Sequence, residues 1–148
     1  MNERLAKGAT MPTRLNPYLG FRDNAAEAFA FYQSVFGGEL TMNTFGDFNA
    51  SDDPSEADKI MHAQLITQND LVLMGSDTPK RMPIAEHSNI SIALSGDDEA
   101  EVTGYWERLA DGATVLEPLT KAPWGDHFGM LTDRFGVTWL VNISGNAG

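Results

Sequence analysis

Trp124-Gly125-Asp126-His127-Phe128-Gly129-Met130-Leu131-Thr132-Asp133-Arg134-Phe135-Gly136-Val137-Thr138-Trp139-Leu140-Val141-Asn142 is the stretch that decides the fold of this chain. Within it, Asp133-Arg134-Phe135-Gly136 separates two apolar segments. An Asp at the start and a Gly at the end of a four-residue connection are what a tight hairpin turn favours. The stretch therefore predicts two antiparallel strands, at 127–132 and 137–143.

Working upstream, Ile90, Ile92 and Leu94 alternate with Asn89, Ser91 and Ala93, which is the pattern of a strand. Asp98 with Glu101 three residues on predicts the N-terminus of a helix, because the two side chains can satisfy free backbone N–H groups. Val102, Tyr105, Trp106 and Leu109 give that helix one apolar stripe, and Gly112 stops it. A further strand is expected at 114–119. The order is βαβββ.

The first half reads the same way. A strand precedes Asn24, an expected N-cap with Glu27 three residues later. Ala25, Ala28, Phe29, Tyr32, Val35 and Phe36 follow helical spacing, and Gly37-Gly38 ends the helix. Strands are expected at 39–45, 60–67 and 71–75. Phe31 and Trp106 are 75 residues apart, as are Gly37 and Gly112, and Leu19 and Leu94. Two copies of one supersecondary unit are the economical reading. The expected organisation is a flexible arm at 1–13 and a single α+β domain at 14–148. That domain consists of modules 14–76 and 88–144 joined by a linker at 77–87.

Bulk properties narrow the function. With 10 Lys and Arg against 21 Asp and Glu, the formal net charge is −11. Such a surface repels phosphate backbones, so nucleic acid is not an expected partner, and it favours cationic ligands. There is no cysteine, which excludes disulfides, thiolate catalysis and cysteine-ligated metals. No apolar run approaches the roughly 18 residues of a membrane span. A cytoplasmic protein is expected.

Some motifs are weak. Asp47 to Asp58 places oxygen side chains at alternate positions with an acid at the twelfth, but Asp52 stands where a calcium loop needs glycine. A solvated acidic loop is expected there. The chain has no Gly-x-Ser-x-Gly elbow, no phosphate loop, and no glycine-rich nucleotide loop of the kind a methyltransferase would carry.

Three segments carry a family resemblance: Phe29-Ala30-Phe31-Tyr32-Gln33-Ser34-Val35-Phe36-Gly37-Gly38, Met61-His62-Ala63-Gln64-Leu65, and the opening stretch from Trp124 to Asn142. Together with the doubled βαβββ order they resemble the vicinal oxygen chelate superfamily of glyoxalase I, bleomycin-resistance proteins and extradiol dioxygenases. Within it, the PhnB-like (demethylubiquinone methyltransferase-like) subfamily is the nearest match. The resemblance implies two modules forming curved mixed sheets around a cavity, assembled as a homodimer. Metal enzymes of the superfamily place one ligand on each of four strands lining the cavity. Carried across by strand, those positions fall near Pro17 (Asn16 or Tyr18 if the first strand is shifted by one or two residues), Gln64, Ser91 and Leu140. Proline and leucine cannot bind a divalent cation, and a stable site needs about three good donors. No metal or other cofactor is therefore expected.

The resemblance and the residue types together nominate His62, Gln64, Met74, Ser91, Trp124, Asp126, Phe128 and Leu140 as ligand-binding. His62 and Gln64 are two apart on a strand and share a face. His62 is the one candidate for a general base, since imidazole titrates near neutral pH. Aromatics beside Asp126 could stack on a planar or cationic molecule. The expected function is metal-free binding of such a molecule rather than catalysis. The alternative is a metal-dependent lyase, isomerase or dioxygenase with a non-standard ligand set using His62 and Gln64.

Overall fold

The computed structural model describes residues 13–84 and 88–145. The expected arm at 1–13, except Thr13, and the end of the expected linker lie outside the described residues. The chain divides into two compact units, Met1–Ala85 and Glu86–Gly148. Each contains one βαβββ module.

The first unit runs β1 (Tyr18–Phe21), α1 (Ala25–Phe36), β2 (Glu39–Thr44), β3 (Ile60–Ile66) and β4 (Val72–Asp77). The sheet order is β1-β4-β3-β2, with β1 and β4 parallel and the other pairs antiparallel. The second unit runs β5 (Ile92–Gly96), α2 (Glu99–Leu109), β6 (Thr114–Lys121), β7 (His127–Thr132) and β8 (Thr138–Ile143), in the order β5-β8-β7-β6. The same hand of pairing recurs, with β5 and β8 parallel. The doubled topology read from the sequence is the topology of the molecule. The modules differ between their second and third strands, where the first carries two short 3-10 turns, Gly46–Phe48 and Pro54–Glu56.

In the first unit α1 buries Ala25, Ala28, Phe29, Tyr32 and Val35. Its aromatics meet edge to face, Phe21 on Phe29 at 6.1 Å between ring centroids and Phe29 on Tyr32 at 5.8 Å. This geometry sets the positive edge of one ring on the negative face of the next. Phe29 presses so closely on β4 that a Cβ at Gly75 would come within 2.8 Å of the ring. In the second unit α2 buries Val102, Tyr105 and Leu109 over Leu131, Trp139, Val141 and Ile143. There Trp106 takes the space of the absent side chain at Gly129, where a Cβ would lie 2.8 Å from its ring. Gly75 and Gly129 thus mark which face of each sheet its helix covers.

The two helix starts are capped differently. Asp98 accepts from the Glu101 N–H at 3.1 Å, as its spacing predicts. Asn24 makes no side-chain cap. The Ala25 N–H instead donates to Asp77 Oδ1 at 2.9 Å, and Asp77 Oδ2 accepts from Ile60 N–H at 2.8 Å. A carboxylate at a helix N-terminus answers both the free N–H groups and the positive end of the helix dipole, so it displaces the weaker local cap. Just past β4, the Arg22 guanidinium donates to the carbonyls of Thr78, Pro79 and Met82. This clip holds the segment after β4 against the first unit.

Candidate functional site

Side chains alternate across a strand, so the face turned away from each helix follows from Gly75 and Gly129. In the first unit that face carries Tyr18 on β1, Val72, Met74 and Ser76 on β4, His62, Gln64 and Ile66 on β3, and Thr41 with Asn43 on β2. One row crosses all four strands: Tyr18 beside Met74, Met74 beside Gln64, Gln64 beside Thr41. His62 lies opposite Asn43. The Tyr18 hydroxyl is 3.4 Å from His62 Nδ1, and the two rings are tilted at 31° with centroids 6.0 Å apart.

In the second unit the corresponding face carries Ala93, Ser95, Phe128, Met130, Leu140 and Asn142. The matching row is Ala93, Leu140, Met130 and Glu117. Ser91 lies one residue before β5 and is exposed. Trp124 stands in the turn before β7, 65% exposed, with its ring 6.2 Å from that of Phe128.

Asp126 closes the same turn. Its Oδ1 accepts from the Gly145 N–H at 2.8 Å and its Oδ2 from Asn142 Nδ2 at 3.1 Å. The Gly145 N–H, followed by the Asn142 amide, holds the carboxyl below the ordinary aspartate range. A depressed folded-state pKa contributes stability that is full above the unfolded value, about pH 4, and is lost as pH falls through the folded one. Asp126→Asn therefore lowers the urea midpoint at pH 6. The gap to the parent closes as the measurement is repeated down to pH 3. A gap that is constant over this range would contradict the assignment.

The structure brings His62, Gln64 and Met74 together on one face. It brings Trp124 and Phe128 into contact, and Leu140 lies on the same helix-free face as Phe128. Thr41, Asn43 and Asn142 join these faces without having been selected from the sequence, and Tyr18 had entered only as an alternative to Pro17. They come from cross-strand register, which no local pattern reveals. His62 and Gln64 showed only the face of their own strand.

The repeat also tests the metal positions. β4 and β8 hold equivalent places, so the position matching Leu140 in the first unit is Met74, not Gln64. Their parallel neighbours are Tyr18 and Ala93, not Pro17 and Ser91. Within the first unit this pairs a phenol with a thioether, and within the second a methyl with an isobutyl group, which are poor donors for a divalent cation. Among the described residues, no three His, Asp or Glu side chains come together as a possible metal site. No helix among them is long and apolar enough to cross a membrane.

Comparison with known proteins places this geometry. A model of the glyoxalase/bleomycin resistance protein/dioxygenase superfamily matches residues 14–141. Protein PA1353 from Pseudomonas aeruginosa is 40% identical in sequence, with a TM-score of 0.80 over 91% of this chain and 100% of that one. The PhnB protein from Bacillus cereus matches in fold, with 23% identity and a TM-score of 0.72 over 89% of this chain and 100% of that one. Protein YjdN from Escherichia coli K12 is 27% identical over 140 residues, covering 87% of this chain and 94% of that protein.

Proposed function

Because the chain belongs to the glyoxalase/bleomycin resistance protein/dioxygenase superfamily, we propose that it binds a small planar molecule without a metal, against a helix-free sheet face. One observation carries this reading: Trp124, 65% exposed, stands beside Phe128 on a sheet face that also bears Met130 and Leu140. An exposed indole contributes little to its own fold, whereas it offers a large flat apolar surface to a ligand. In this proposal the first unit offers His62 and Gln64 as polar anchors with Met74 as apolar wall, and the second unit offers Asp126 as polar anchor with Phe128 and Leu140 as apolar wall and Ser91 at the margin. The charge of −11 favours a cationic ligand. The partner expected beyond the ligand is a second copy of the chain, in the cytoplasm.

The alternative of a metal-dependent lyase, isomerase or dioxygenase draws on His62 and Gln64 sharing a face. Two measurements separate the readings. A thermal-shift screen of planar small molecules raises the melting temperature in proportion to the logarithm of ligand concentration for a binder. Trp124→Ala then weakens the best hit about tenfold, on the scale of roughly 1–3 kcal/mol for a buried aromatic contact. It leaves the melting temperature of the free protein within about 2 °C, as for an exposed residue. Stoichiometric metal in the purified protein that is lost on His62→Ala would sink the metal-free reading.

A further inference from the structure

We propose that Tyr18 is a positioning residue for His62, fixing it as the tautomer with the proton on Nε2, and that this site therefore takes a ligand presenting a hydrogen-bond-accepting oxygen. The second half rests on the reading of the helix-free face as the ligand side. The first half stands on geometry alone.

The phenol oxygen and Nδ1 lie 3.4 Å apart, on strands β1 and β3, which flank β4. A neutral imidazole has one N–H and one bare nitrogen, and a phenol has one O–H. The bare imidazole nitrogen is the better acceptor and the phenol the better donor, so the proton lies between them on oxygen. Nδ1 is then the accepting nitrogen and Nε2 carries the hydrogen. The bond at one ring nitrogen thus decides what the other can do. With Nε2–H as donor, and the Gln64 and Asn43 amides on the same face, the group recognised here is a carbonyl or similar oxygen. A ligand with only N–H donors at that end would leave His62 unsatisfied.

Tyr18 is 53% exposed on an edge strand, so Tyr18→Phe leaves the fold intact. The first test is ligand-free 15N NMR of the imidazole at a pH where His62 is neutral. The expected result is a proton on Nε2 and an Nδ1 signal typical of a hydrogen-bonded acceptor. In Tyr18→Phe the Nδ1 signal moves to that of a bare nitrogen. A proton on Nδ1, or an Nδ1 signal unchanged by Tyr18→Phe, overturns the positioning role.

The second test titrates two aromatic probes. N,N-dimethylbenzamide offers an oxygen acceptor and no donor; benzamidine offers donors and positive charge. The amide is expected to shift the His62 Nε2 signal, with an apparent Kd raised about threefold by Tyr18→Phe, the scale of one modest hydrogen bond. A response of His62 to benzamidine alone, or to neither probe, overturns the acceptor inference. If no planar molecule of the thermal-shift screen binds while the tautomer is as stated, the binding reading fails and the positioning role stands.

Discussion

Asp133→Ala is expected to lower stability by about 3 kcal/mol, through loss of hydrogen bonds from donors that include a buried indole N–H. For a chain of this length that is a fall in melting temperature of roughly 6–12 °C. Asp133 sits at the hairpin turn and is 4% exposed. Its Oδ1 accepts from the N–H groups of Phe135 at 2.8 Å and Val137 at 3.1 Å, and its Oδ2 from Trp139 Nε1 at 2.9 Å. The same residue's backbone closes the turn, donating to Val137 O and accepting from Gly136 N–H. Gly136 adopts φ 89°, which a side chain would oppose.

Water can reach the half-buried Phe135 and Val137 amides after truncation. Trp139 is buried, so the loss of its bond to Asp133 is expected to carry most of the cost. Asp133→Asn is expected to recover only part of the loss, because it keeps one acceptor while its other terminal atom becomes a donor facing a donor. Combining Asp133→Ala with Trp139→Phe is expected to cost clearly less than the sum of the two, since both changes break the same indole–carboxylate bond. Urea unfolding of the four proteins measures this. Full additivity would show that the indole bond is not where the energy lies.

The second large effect is at Asp77. Asp77→Ala strips acceptors from the Ala25 and Ile60 N–H groups, in residues that are themselves 0% and 6% exposed. Two buried donors left without these partners cost about 1–3 kcal/mol each, so a loss of roughly 2–6 kcal/mol is expected. Asp77→Asn keeps one acceptor and is expected to recover part of it. Hydrogen exchange supplies a local readout: the amides of Ala25 and Ile60 lose protection beyond the global change. If Asn24→Ala proves as costly as Asp77→Ala, the helix is capped locally and the long-range cap is wrong.

These two aspartates divide what could be read along the chain from what could not. Asp133 was legible, because its partners lie two, four and six residues away. The Asp-x-x-Gly spacing and the flanking apolar runs report a turn whose bonds are all local. The same holds for Asp98 at the start of α2, for the apolar stripes of both helices, and for the doubled βαβββ order. Asp77 was not legible. It reaches 52 residues back to α1, and the sequence offered Asn24 as a plausible cap in its place.

The candidate site divides in the same way. Alternation along β3 was enough to put His62 and Gln64 on one face, since the period of a strand is fixed by its backbone. Register across the sheet is fixed by hydrogen bonding between strands distant in sequence, and it alone set Tyr18 against His62 and aligned Met74, rather than Gln64, with Leu140. The sequence by itself therefore determined the elements, their order and their repetition, because short-range sterics and hydrophobic period decide those. Only the tertiary structure decided which side chains meet on the helix-free faces, because a strand's own pattern carries no record of its neighbour's register.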